Sequence, residues 1–141
     1  MSEQNVELHR RVIEAYNARD IEAMIAFCAP EVEFHSAMAA VTGATYHGHE
    51  GVRSWHRDLE DAWGGETRIH PEAFFDLGDQ TLAFNVVKAR GRQSGAEVAM
   101  PAAQVVRWRK GLCVYCKGYV NRDDALRELK ISQQELVPIA P

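Results

Sequence analysis

Apolar residues recur at helical spacing through the first half of the chain and then switch to alternation. From about Asn5 to Ala18, the residues Val12, Ile13 and Tyr16 share one stripe with Asn5 and His9. This predicts an amphipathic helix with Tyr16 near the centre of its buried face. Asn17-Ala18-Arg19 is a short link, and Asp20 is placed to cap a second helix that buries Ile21, Met24, Ile25 and Cys28 and is ended by Pro30. Glu31 to Ser36 alternates. Val32, Phe34 and Ser36 fall on the inward side of a short strand, with Glu31, Glu33 and His35 on the outward side. The small residues from Ala37 to Thr45 predict a loop. Gly48 to Trp63 predicts a third helix with Val52, Trp55, Leu59 and Trp63 on its inner stripe, closed by Gly64-Gly65.

Beyond that point the period is two. Thr67 to Leu77 predicts a strand broken at Pro71, and Gly78-Asp79 a turn. A second strand through Leu82, Phe84 and Val86 runs to about Arg92, where Gln93-Ser94-Gly95 makes a hairpin turn. Val98 to Arg109 and Leu112 to Val120 follow as strands joined at Lys110-Gly111. Asn121 caps a last helix, with Asp124 at the capping-box position, that ends near Lys130. Helices followed by hairpin-linked strands predict an α+β fold. A curved antiparallel sheet forms a cone around three N-terminal helices, with room for a ligand inside. Residues 1–130 read as one domain, and 131–141, with Pro138 and Pro141, as a loose tail.

Composition narrows the function classes. Hydrophobic content of 46% with 26% charged residues is that of an ordinary globular protein, and no apolar run approaches a membrane span. The polar start Ser2-Glu3-Gln4-Asn5 lacks the pattern of a signal peptide, so the expectation is a cytoplasmic protein with reduced thiols. A net charge of −4 argues against nucleic acid. Lys88, Arg90 and Arg92, with Arg107 and Arg109, alternate along two strands and read as the solvated outer face of the sheet, without interleaved aromatics to stack bases. Cys113-Val114-Tyr115-Cys116 matches a metal or redox spacing. It lies in a predicted strand, where positions three apart face opposite ways, so the pair reads as structural. His47 and His49 form an H-x-H pair that could make a metal site with His35, but Gly48 separates them in a turn and no third ligand follows at tight spacing, so no metal or other cofactor is expected.

Several stretches resemble one known group. Asp20-Ile21-Glu22-Ala23 is similar to the second helix of the nuclear-transport-factor-2-like superfamily, and Tyr46-His47-Gly48-His49-Glu50-Gly51-Val52-Arg53 to its entry into helix three. Ala103 to Gly111 resembles the penultimate strand and turn, and Tyr119 to Leu126 the closing strand and helix of SnoaL-like members. The resemblance covers roughly residues 5 to 130 and implies a cystatin-like α+β barrel, a small hydrophobic or polycyclic ligand and a homodimer. It also shows what is missing. The general-base Asp of ketosteroid isomerases and SnoaL-type cyclases falls on Ser36. The oxyanion-binding Asp and Tyr of the isomerases fall on Gln104 and Val12, with Tyr16 one turn away. The closing-strand Asp of epoxide hydrolases falls on Gly118.

The candidate chemistry therefore rests on other residues. His56, at the edge of the third helix's stripe, is the best-placed base, although the position equally suits a core histidine bonded to backbone. Gln104 can donate a hydrogen bond to a developing oxygen charge, and Tyr16 is either a second donor or a core aromatic. Trp55, Trp63 and Trp108, with Phe34 and Ser36, face inward as ligand walls or as core. His35 has outward parity but sits at the end of a short strand that can twist. No inward carboxylate accompanies them. Two functions stay open: an isomerase, cyclase or dehydratase using His56, Gln104 and Tyr16 on an apolar carbonyl or polycyclic substrate, and a non-catalytic binder or dimeric accessory protein.

Overall fold

Helix α1 (Ser2–Asn17) buries Val6, His9, Val12, Ile13 and Tyr16, the stripe its spacing prescribes. The computed structural model describes residues 2–36, 45–90 and 95–141. The predicted loop from 37 to 44, the hairpin turn at 93–94 and Arg92 lie outside these. Helix α2 (Ile21–Ala26) is capped by Asp20, whose Oδ1 accepts from the Ala23 N–H at 3.1 Å. The helix stops earlier than its apolar spacing suggested. Cys28 opens strand β1 (Cys28–His35), and the Phe27 carbonyl accepts from the Cys113 N–H at 2.8 Å. Pro30 thus sits within β1 rather than ending α2. Here the pairing with the neighbouring strand shifts between Cys28 and Glu33, so a missing N–H disrupts no regular ladder.

Strand β2 (Thr45–His47), which the sequence did not reveal, pairs with the end of β1 and leads into α3 (Gly48–Trp63). Strands β3 (Arg68–Asp76), β4 (Gln80–Arg90), β5 (Glu97–Arg109) and β6 (Leu112–Tyr119) form a meander, with an irregularity after Pro71. The described strands make one curved, unclosed sheet of order β2-β1-β6-β5-β4-β3. It is antiparallel except where β1 lies parallel to β6.

Both faces of the sheet are used. On β4, Thr81, Ala83, Asn85 and Val87 face α1 to α3, while Leu82 and Phe84 face the other way. That second face is covered by α4 (Arg122–Leu129), where Ala125 and Leu126 pack on Leu82, Phe84 and Val105. The helices are thus not all on one side. The tail is also docked. Ile139 pairs with Phe74 of β3 through bonds of 2.9 and 2.7 Å, and Arg10 donates to the Ala140 carbonyl at 2.6 Å. Among the described residues no helix is long and apolar enough to cross a membrane.

The cysteine spacing is corrected by a bulge. The β5–β6 register passes from Arg107–Tyr115 to Trp108–Cys113, skipping Val114. Cys113 and Cys116 therefore turn to the same side and join Cys28 in one buried cluster. All three are free thiols, and burial pushes Cys116 up to about 12.

Candidate functional site

The concave side of the sheet and the helices above it enclose a cavity of about 90 Å³. At roughly 10–15 Å³ for each water this is room for roughly six to nine, the size of a molecule with about one or two rings. Phe34 of β1, Tyr16 of α1 and Trp55 and Leu59 of α3 form one side. Asn85 and Val87 of β4, Ala102 and Gln104 of β5, and Cys116 and Gly118 of β6 form the other. Ser36 and His35 lie at the rim. Among the described lining residues there is no Asp, Glu, Lys or Arg.

The expected aromatic walls are only partly there. Trp55 lines the cavity and packs edge-on to Phe34 at 5.4 Å between ring centres. Trp63 packs against the core away from it. Trp108 is buried beneath the sheet's concave surface, where its indole N–H donates to Thr81 Oγ1 at 2.8 Å. Trp108 keeps the inward parity of Gln104 and Val106, but it lies farther along β5, packed by His9, and so does not reach the cavity.

His56 does not line the cavity. It stands behind Tyr16, edge to ring at 6.3 Å, with Nε2 buried, without a hydrogen bond, and 3.3 Å from a Glu60 carboxylate oxygen. Burial holds its pKa below the ordinary value, assisted by Arg19 and opposed by Glu60. Tyr16 lines the cavity, and its hydroxyl is buried. It approaches Arg19 and Thr67 without a well-formed hydrogen bond, and burial raises its pKa. The His35 ring follows its outward parity. It stacks on Tyr115 at 5.1 Å, bonds Glu33, and meets the Thr45 hydroxyl at 3.2 Å, so only the residue's inner edge reaches the rim. His49 bonds the Cys28 carbonyl at 3.0 Å.

Two polar residues at the site escaped the sequence reading. Asn85 is 3% exposed and lines the cavity, and its Oδ1 has no hydrogen-bond partner among the described residues. Its place at the inward parity of a buried strand was the available signal. His9, fully buried in α1, bonds Thr81 Oγ1 through Nδ1 and Gln104 Oε1 through Nε2, both at 2.8 Å. Burial depresses its pKa to about 4 against the lesser opposing effect of Gln104, so it is neutral at ordinary pH. The amide nitrogen of Gln104 donates to Cys116 Sγ at 3.4 Å. The wall thus offers amides and hydroxyls, neutral donors and acceptors, set in apolar surroundings.

Solved structures share this architecture. A nuclear-transport-factor-2-like protein of unknown function from Burkholderia pseudomallei is 22% identical, with 88% of this chain and 95% of that one covered and a TM-score of 0.76. TerC, co-crystallised with polyporic acid, is 21% identical over 89% and 97% of the two chains, with a TM-score of 0.75. A protein of ketosteroid-isomerase-like fold from Catenulispora acidiphila, in complex with trimethylamine, is 16% identical over 89% and 94%, with a TM-score of 0.72. No curated protein matches the sequence significantly. The SnoaL-like domain family matches residues 9–116, most of the cone and its helices, and the chain belongs to that family.

Proposed function

We propose that the protein binds an uncharged, largely apolar molecule of about one or two rings that carries an oxygen function. The observation behind this reading is the cavity wall itself. It is largely apolar, contains no carboxylate, Lys or Arg among its described residues, and includes an amide, that of Asn85, whose buried oxygen no described group satisfies. A buried polar group without a partner costs about 1–3 kcal/mol, which a ligand or water in the cavity offsets. An anionic ligand would leave its charge unpaired there and is disfavoured. The bound polyporic acid of a neighbour with this fold lends support to an oxygen-bearing ligand.

The test is a titration with 1-indanone and with the anion indane-1-carboxylate, followed through Trp55 fluorescence. The neutral ketone binds and quenches Trp55, and the anion does not. Equal binding of both, or of neither, overturns the reading. The homodimer implied by family resemblance belongs to the same proposal and is tested by sedimentation.

One observation favours a second reading, proton-transfer catalysis of the isomerase or cyclase type. The His56 ring packs edge-on to Tyr16, a lining residue, at 6.3 Å, and its Nε2, 3.3 Å from a Glu60 carboxylate oxygen, makes no hydrogen bond, nor does the Tyr16 hydroxyl among the described residues. His56 would then exchange a proton with substrate through Tyr16 rather than by contact. Turnover of a ketone substrate that vanishes in both His56→Ala and Tyr16→Phe supports this, whereas turnover surviving in His56→Ala removes His56 from it.

A further inference from the structure

The hydrogen bonds behind Gln104 form a chain whose direction follows from chemistry. The Trp108 indole has a donor and no acceptor, so Thr81 Oγ1 accepts from it. Thr81 is fully buried, and its hydroxyl has two partners among the described residues, Trp108 and His9. Its single proton must therefore go to His9 Nδ1, because the opposite arrangement would leave a buried O–H with no acceptor. Neutral His9 carries one N–H, which is then on Nε2 and is donated to Gln104 Oε1. The amide oxygen of Gln104 is thereby occupied, and its NH2 group is the end left for Cys116 Sγ and for the cavity.

Resting on the cavity reading above, we propose that Trp108, Thr81 and His9 are positioning residues that hold Gln104 as a hydrogen-bond donor, so that the site selects ligands presenting a carbonyl oxygen at that point. The chain spans three elements, α1, β4 and β5, and is buried as far as His9, so Gln104 cannot invert its amide without losing its 2.8 Å bond to His9 and its 3.4 Å bond to Cys116. Asn85, on the neighbouring strand, has no such chain behind it: its Oδ1 has no hydrogen-bond partner among the described residues.

Long-range proton–nitrogen NMR of the ligand-free protein is the first test. His9 is expected as the Nε2–H tautomer, with a pyrrole-type nitrogen at Nε2 and a pyridine-type nitrogen at Nδ1. The Nδ1–H tautomer overturns the proposal whether or not the cavity binds anything. The second test compares 1-indanone with indane, which has the same rings and no oxygen. The ratio of their affinities is expected to fall roughly three- to tenfold in Thr81→Val and in Gln104→Met, the worth of one hydrogen bond. General damage to the fold would weaken both probes and leave the ratio unchanged. An unchanged ratio in both variants, or native binding of indane as tight as that of 1-indanone, overturns the proposal, and failure of 1-indanone to bind the native protein overturns the selectivity together with the cavity reading.

Discussion

His9 is neutral because it is fully buried, and that makes it a pH liability as well as a positioning residue. Its folded pKa of about 4 lies below the ordinary value of 6.5. Between those values the unfolded chain binds a proton that the folded one refuses, so stability is full above pH 6.5 and declines as pH falls toward 4. The gap corresponds to about 3 kcal/mol at most. Urea unfolding at pH 7 and at pH 4.5 checks this: His9→Gln is expected to lose most of that pH dependence, and an undiminished dependence would assign it elsewhere. Asn85 shows the opposite balance. Its unpaired oxygen weakens the fold, so Asn85→Leu is expected to raise stability by about 1 kcal/mol while weakening 1-indanone binding. Thermal melts and titration of one variant read both effects.

At the scale of elements, the short α2 depends on its cap. Asp20→Ala removes the bond to the Ala23 N–H and is expected to cost about 1 kcal/mol in denaturant unfolding. This cap, the α1 stripe and the β4–β5–β6 meander could be read from the sequence because spacing and capping are local properties. The failures came where pairing between distant segments decides. Cys28 left the helix because Cys113 pairs with it across the sheet, and Cys116 and Cys113 share a side because of a bulge that alternation does not reveal. The same limit governs the site. Tyr16, Phe34, Ser36 and Trp55, inward by their spacing, and Gln104, singled out by the family resemblance, line the cavity. Half-buried His56 and buried Trp108 lie beside it, since an inward stripe specifies a side of the core and not which side chain ends at the void. His9 and Asn85 were on inward positions, but nothing in their spacing shows that Thr81 and Gln104 meet His9 or that Asn85 lines the void.

In the whole molecule, the tail from 131 to 141 ties the outer face to the edge of the sheet. Ile131 and Leu136 pack on the cluster that holds α4, and Ile139 covers the β3 edge. Removing residues 131–141 exposes that edge and is expected to lower the melting temperature and promote association, which light scattering during the melt would show. An unchanged melt would mean the tail only decorates the fold. The inner side of the sheet carries the central claim, that the cone is a neutral ligand site with Gln104 as a donor. The most direct measurement is an NMR titration of the labelled protein with 1-indanone, following side-chain amides and indoles. The account predicts shifts concentrated on the Gln104 and Asn85 amides and the Trp55 indole, with Trp63 unmoved. Shifts confined to the outer face, or none at saturating ketone, would contradict it.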